Sequence, residues 1–409
     1  MSLEKRALKG VLSLSLLKAI DYIVPLILIP YIIHVLGLEF YGEYAYVQVI
    51  AIFLAFSADY SLPTVGVQYI SQKKNRSYVS NYVSSLIAFK LFNVVFFTLI
   101  IFITVKVFDF TPSNLFLCGV FVYLGLSLQN SWLYQAFEIY KPLIVLSGSS
   151  RVICLIITPF FVNDVSDQYE FLIIQSAMYF IPGLFSLIYV FSRFEFGLRK
   201  VKKRYIYHML KNGMYVFQYR VINAAVLPTN NYFIFMFADA KILGVYNLIM
   251  KCLSALVNFI TPISLSVQPI LAETKSKNRC ELKVFFASIQ KKIALISVLL
   301  SIILFFGVSI YLNIYNEIGN DYSIYILIMF LCLTLIPHAL NGLYSQTLNL
   351  FGWSKFVRNL IFLISVVSLS ILPLMVIRFQ AIGIGLVSLF MYFTMLTFMY
   401  LRLREEFEK

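Results

Sequence analysis

The sequence predicts an all-α integral membrane protein of about twelve transmembrane helices, and three observations lead there. Of the 409 residues, 60% are hydrophobic and 13% charged, whereas a soluble domain carries about a quarter charged. The apolar residues form continuous runs of about 20, long enough to cross a hydrocarbon core; a sheet barrel would instead show alternating strings of about ten. The charged residues collect in short connectors whose sign alternates along the chain. A chain of this length holds on the order of twelve crossings and no soluble catalytic domain beside them.

The first run, 11–33, follows the basic residues Lys5, Arg6 and Lys9. It contains Lys18 and Asp21 and has no small-residue cleavage site, so it is expected to be a retained helix and not a signal peptide. The second, 44–70, carries Asp59, and the third, 81–107, follows Lys73, Lys74 and Arg76 and carries Lys90. The fourth, 114–135, shows the stripe Tyr123, Ser127, Asn130, Tyr134 and Glu138 at helical spacing. The fifth, 143–162, holds Arg151, and the sixth, 170–192, follows the acidic connector with Asp164 and Asp167. The basic stretch 193–211 then divides residues 1–192 from 212–409, as a linker between two lobes would.

The seventh run, 212–237, carries Arg220, Asn223 and Asn230 on one face. The eighth, 242–270, carries Asn247, Lys251, Ser254, Asn258, Thr261 and Gln268 in the same manner. The ninth is 288–312, and the tenth, 322–349, bears Thr334, His338, Asn341, Ser345 and Asn349. The runs 356–377 and 381–401 complete the set. Pro25 and Pro30 in the first run and Pro228 in the seventh are candidate hinges.

Most of the 33 Lys and Arg fall at one set of ends: around Lys73, Lys141, the 193–211 linker, Lys275–Lys292, Lys355 and Arg402–Lys409. The opposite connectors carry Lys106, Lys241 and Arg378 among Glu39, Glu43, Asp109, Asp164, Asp167, Asp239, Glu317 and Asp321. By the positive-inside rule both termini are cytoplasmic and the number of spans is even. The formal charge of +14 therefore reports topology, and no nucleic-acid partner is expected. The five cysteines contain no CxxC and the three histidines stand apart, so neither a disulfide framework, a metal site nor a cofactor is expected.

A shift of 202 places Gly42 and Tyr44 of YGEY on Gly244 and Tyr246 of LGVY, and Lys18 on Arg220. The expectation is an internal repeat of two halves sharing one orientation, related by an axis along the membrane normal.

Within the spans lie five cations, Lys18, Lys90, Arg151, Arg220 and Lys251, against Asp21 and Asp59. A charge at membrane depth costs about 2.5 to 3.5 kcal/mol on insertion scales, so each needs a partner or a wet surrounding. Lys18 and Asp21 are i, i+3 neighbours and expected to neutralise one another in part. Asp59 either pairs with Lys90 or serves as a proton or cation site; Lys90 and Arg151 either snorkel or face the interior. Together with the stripes, these charges predict a shared aqueous cavity. Its candidate binding residues are Lys18, Asp21, Asp59, Lys90, Arg151, Arg220, Asn223, Asn247, Lys251, Asn258 and Asn341.

Three segments carry a family resemblance: IPYIIHVLGLEFYGEYAYV, ADYSLPTVGVQYIS and NSWLYQAFE. They resemble the Wzx-type O-antigen and polysaccharide flippases of the multidrug/oligosaccharidyl-lipid/polysaccharide (MATE-like) exporter superfamily. Leu36, Gly37, Tyr41, Gly42 and Tyr44 match an LGxxxYGxY-like turn, and Trp132, Leu133, Tyr134, Gln135 and Glu138 match a W-[LF]-[FY]-Q-G-x-E string, with Ala136 in place of the glycine. The resemblance implies two six-helix lobes around a central polar cavity. It implies transfer of a polyprenyl-pyrophosphate-linked oligosaccharide across the bacterial cytoplasmic (inner) membrane by ion-coupled alternating access. Membrane lipids, a polysaccharide polymerase and chain-length proteins are the further partners implied.

Two other function classes compete. A MATE-type multidrug or cation antiporter would share the fold, but a pocket for lipophilic cations should be weighted toward carboxylates, and here the internal balance is basic. A membrane-bound O-antigen polymerase or glycosyltransferase would carry a long outer loop or a DxD-like motif; the outer connectors here are about ten residues or fewer. The expectation is a transporter and not an enzyme.

Overall fold

The computed structural model describes residues 3–67, 70, 76–108, 113–137, 139–193, 200–277, 279–314 and 321–408. The side chains of 3–18 and 261–282, among them Lys18, Thr261 and Gln268, lie outside the described residues, as does that of Asn223 and the whole of Glu138.

Every regular element among the described residues is helical. In chain order these are α1 (Leu3–Leu36), α2 (Leu38–Ala58), α3 (Arg76–Phe108), α4 (Ser113–Leu128), α5 (Ser131–Ala136), α6 (Tyr140–Phe161) and α7 (Gln168–Arg193). They continue with α8 (Lys203–Phe237), α9 (Ala240–Lys277), α10 (Arg279–Ile314), α11 (Tyr322–Leu333), α12 (Leu335–Leu350) and α13 (Ser354–Glu408). Among the described residues ten stretches are long and apolar enough to cross a membrane. The last, Ser354–Phe407, contains two helices joined at Gln380 (φ 44°, ψ −123°), and α8 is not among the ten. The outward faces are apolar, as lipid contact requires: Phe92, Leu99, Ile103, Ile156, Phe160, Ile173, Ile303 and Leu374 are all exposed.

The second, fourth and tenth helices differ in detail from the apolar runs. The second begins at Leu38, because Glu39 in its first turn suits the positive end of the helix dipole although it interrupts the hydropathy. It stops at Ala58; Tyr60 takes a left-handed conformation (φ 50°) and a single π turn, Leu62–Gly66, follows. The fourth run breaks at Gln129–Asn130 into α4 and α5. The tenth breaks at Thr334 because Pro337 has no N–H to give the carbonyl of Leu333, so α11 ends and α12 begins there.

The chain packs as two compact units, Met1–Leu36 with Val47–Pro228, and Gly37–Tyr46 with Thr229–Lys409. These overlap the halves expected from the linker without coinciding with them, since α8 up to Pro228 packs with the first unit. In the first unit α4 and α7 cross with almost no separation: a Cβ on Gly125 would meet the Tyr179 backbone, and one on Gly183 the Gly125 backbone. A core of Leu62, Tyr82, Leu86, Trp132, Leu133, Tyr205 and Met209 fixes the π turn, α5 and the start of α8 to α3. In the second unit Phe286, Ile293, Leu343, Tyr344, Leu348 and Leu403 form the core between α10, α12 and the end of α13.

Candidate functional site

Among the described residues of the first unit, two pairs of internal charges are joined across helices. Lys90 on α3, 2% exposed, places Nζ 2.6 Å from Asp59 Oδ1 and also donates to the Gln129 carbonyl at 3.3 Å. That carbonyl is available because the helix breaks between α4 and α5 and leaves it without a helical donor. Arg220 on α8 lies within electrostatic reach of the same carboxylate, donates from a guanidinium nitrogen to the Tyr60 carbonyl at 3.3 Å and stacks over Phe56 with its Cζ 4.3 Å from the ring centre. One carboxylate therefore serves two cations, and this cluster carries a net positive charge.

Arg151 on α6 pairs with Asp21 on α1 at 2.9 Å and donates to the Ser147 carbonyl at 2.8 Å. Tyr179 lies beneath that guanidinium at 6.0 Å and accepts from Gln48 at 3.3 Å. Gln129 donates to the Ser147 hydroxyl. The two ion pairs thus belong to one polar chain, from Asp21 through Arg151, Ser147, Gln129 and Lys90 to Asp59. The pairing of Asp59 with Lys90 is one of the two readings the sequence left open. Asp21 finds Arg151, a partner 130 positions away that spacing along one helix does not disclose.

In the second unit the internal polar residues include several amides and tyrosines. Asn247 donates to Asn231 at 2.6 Å and to the Leu243 carbonyl at 3.0 Å, so it is absorbed into packing between α8 and α9. Asn230 donates to the Tyr246 hydroxyl at 3.1 Å. Asn258 donates to the Ser254 carbonyl within its own helix, and Lys251 is half-buried two turns before Asn258. Asn341 donates to the Tyr392 carbonyl at 3.1 Å, and the Tyr392 ring stacks on His338 with centroids 4.6 Å apart. Beside them Gly342 faces open space.

The stripe on the fourth run corrects an expectation. Tyr123, Ser127, Asn130 and Tyr134 are fully buried; Tyr123 donates to the Val94 carbonyl at 3.0 Å, and the Tyr134 and Ser186 hydroxyls are 3.1 Å apart. These residues fasten α4 and α5 to α3 and α7, so this stripe joins helices and lines no cavity. Sequence reading missed Gln48, Gln129, Ser147, Tyr179 and Tyr392. Gln48, Tyr179 and Tyr392 are single residues in apolar surroundings, Gln129 and Ser147 sit in short polar strings at helix positions off the stripes, and helical periodicity marks none of them.

The motif residues have structural tasks. Gly37 (φ 87°) ends α1 in the left-handed conformation that glycine adopts without strain. Tyr41 is buried beside Gly42. A Cβ on Gly42 would collide with the Ala240 carbonyl and the Gly244 nitrogen, and a Cβ on Gly244 with the Leu38 carbonyl. Leu38 and Ala240, like Gly42 and Gly244, are related by the shift of 202, so the repeat positions contact one another reciprocally, as isologous patches do. Trp132 is fully buried with its ring against Gly66, and Gln135 is half-buried on α5.

The chain was compared with known proteins. Over 405 residues, 95% of each chain, it is 23% identical to the "Putative O-antigen transporter" of Escherichia coli (strain K12). Its fold is similar to that of an inward-facing multidrug resistance MATE family transporter of the MOP superfamily, with a TM-score of 0.64 at 12% identity, covering 97% of this chain and 98% of that one. A MATE protein in complex with MaL6 gives a TM-score of 0.53 at 11% identity over 99% and 97% of the two chains. These two establish an all-helical, MATE-like membrane fold. The model of the family described as polysaccharide biosynthesis protein matches residues 7–275, about two thirds of the sequence, and the chain belongs to that family.

Proposed function

We propose that the protein is a flippase that carries a polyprenyl-pyrophosphate-linked oligosaccharide across the cytoplasmic membrane. The supporting observation is the cluster of Lys90, Asp59 and Arg220: two cations on one carboxylate, among apolar helices, make a net positive locus suited to a diphosphate. Amides and rings in the second unit, Asn230, Tyr246, Asn341 and the His338–Tyr392 pair, are of the kind that meet sugar hydroxyls. The relative named as an O-antigen transporter supports the same cargo class. In this reading two six-helix lobes, 1–192 and 212–409, alternate access around a polar cavity lined by Lys18, Asn223, Lys251 and Asn258 as well as Arg220, and an ion gradient drives the cycle. A polymerase and chain-length proteins receive the product.

The MATE-like fold favours a second reading, export of drugs as cations. Deleting the gene in its native host separates the two. Loss of surface polysaccharide, restored by the wild-type gene, is the expected result; unchanged polysaccharide with increased drug sensitivity establishes the second reading instead. In the same complementation, Arg220→Ala and Lys251→Ala should express in the membrane but restore little polysaccharide, with Lys251→Arg restoring more than Lys251→Gln. Arg220 is suited to this test because Asp59 keeps Lys90 as a partner when Arg220 is removed.

Orientation is tested separately. Reporters after Lys409 and within 193–211 should register the cytoplasm, and one at Asp164 the outside. An external signal from the linker would contradict the topology.

A further inference from the structure

The first half of α8 is basic and extends the helix beyond the length of a membrane span. At 1.5 Å per residue its 35 residues span roughly 52 Å, against a hydrocarbon core of about 30 Å, so about two fifths of the helix has no place within it. The excess is at its beginning, where Lys203, Arg204, His208 and Lys211 fall within nine residues. This stretch is firmly seated. Tyr205, Met209 and Gly213 are buried at i, i+4 and i+8; Tyr205 meets Tyr82 edge-on with ring centroids 5.5 Å apart, and the Leu210 carbonyl accepts from the Tyr60 hydroxyl at 3.1 Å. Just upstream the Lys202 amide donates to Ser85 at 2.8 Å, and Lys200 reaches Ser80 at 3.2 Å.

The opposite face of the same turns is exposed and carries Lys203, Arg204, Tyr207, Lys211 and Met214. Among the described residues none of these cations is paired with a carboxylate. Tyr207 is 66% exposed and Met214 43%, so apolar groups stand between the charges. Cations two turns apart with an aromatic ring between them and a thioether beyond are the composition of a helix lying at the headgroup level, where basic side chains meet phosphates and a tyrosine ring sits between water and acyl chain. A rigidly held face of this kind binds with little ordering cost.

We propose that the exposed face of residues 203–214 is a binding surface for anionic phospholipid headgroups of the leaflet in which it lies. The partner is a monoester or diester phosphate of the bilayer and not the cargo, so the surface holds the first unit at a fixed depth in the membrane.

The full chain in nanodiscs tests this. Adding about a third phosphatidylglycerol to phosphatidylcholine should raise its melting midpoint by several degrees and slow acylation of Lys203 and Lys211 several-fold, both effects fading at high salt. The triple variant Lys203→Gln/Arg204→Gln/Lys211→Gln should melt like the parent in pure phosphatidylcholine and lose the gain from phosphatidylglycerol. The variant Lys283→Gln/Lys291→Gln/Lys292→Gln removes three exposed cations from α10 and should keep that gain. Equal loss in both triples would mean diffuse attraction and overturn the site. So would stabilisation of the parent by inorganic pyrophosphate in phosphatidylcholine, lost in the first triple, which would assign the surface to a soluble anion. If the first triple fails to fold, acylation of the parent decides: unchanged labelling of Lys203 and Lys211 on adding phosphatidylglycerol rejects the proposal. Loss of polysaccharide transport plays no part in these readouts, so the cargo assignment stands or falls independently.

Discussion

Lys90→Met should strip the membrane of most of its folded protein, while Asp59→Asn/Lys90→Met should recover most of it. Methionine replaces the length of the lysine stem, so packing around it is nearly preserved, and what changes is charge. Lys90 is 2% exposed and Asp59 18%, so removing the ammonium leaves a carboxylate with little access to water. Stranding one member of a buried pair costs about 3 to 5 kcal/mol, a large share of the about 5 to 15 kcal/mol by which native proteins are stable. Arg220 is near enough to offset part of this, so the loss should deepen in Lys90→Met/Arg220→Gln. Neutralising both partners removes the uncompensated charge, hence the recovery. Detergent-solubilised melting and membrane yield measure each variant. A Lys90→Met protein that melts with its parent would show that Asp59 is solvated or protonated without Lys90, and the pair would have no structural role.

This pair marks the limit of what one-dimensional pattern can disclose. The apolar runs located the membrane helices well because lipid imposes length and composition on each of them separately, whatever its neighbours. Long-range partners carry no such local signature. Lys90 and Asp59 were readable as a candidate pair because both are costly and both needed an explanation. Asp21 had a sequence neighbour, Lys18, that obscured Arg151. The stripe from Tyr123 to Tyr134 shows the converse: helical periodicity says that polar groups share a face, and only packing says whether that face meets water or another helix. Tyr392 and Gln129 went unnoticed since the first counts as apolar and the second acts partly through its backbone carbonyl, freed by a helix break that hydropathy does not register.

The glycines of the repeat yield the other large effect. Gly42→Ala and Gly244→Ala are each expected to destabilise strongly, although alanine is otherwise the better helix former by roughly 1 kcal/mol. The obstruction at Gly42 is the Ala240 carbonyl and the Gly244 nitrogen, and at Gly244 the Leu38 carbonyl. These are main-chain atoms in helices and have no rotamer to change, so a methyl group forces α2 and α9 apart. Overpacking of this kind costs typically 1 to 3 kcal/mol, and loss of the closely packed contact adds to it. Gly342 is the control, because its helical position faces open space and Gly342→Ala should leave melting unchanged or raise it slightly. The double variant Gly42→Ala/Gly244→Ala should lose less than the sum of the two singles, as both act on one crossing and the first methyl has already separated the helices. That sub-additivity is also a test of the reciprocal contact. Each glycine meets a carbonyl four residues before the other, Ala240 before Gly244 and Leu38 before Gly42, so the two sites share a single interface. Fully additive losses would mean two separate sites, and the spatial basis for the repeat at this crossing would be lost.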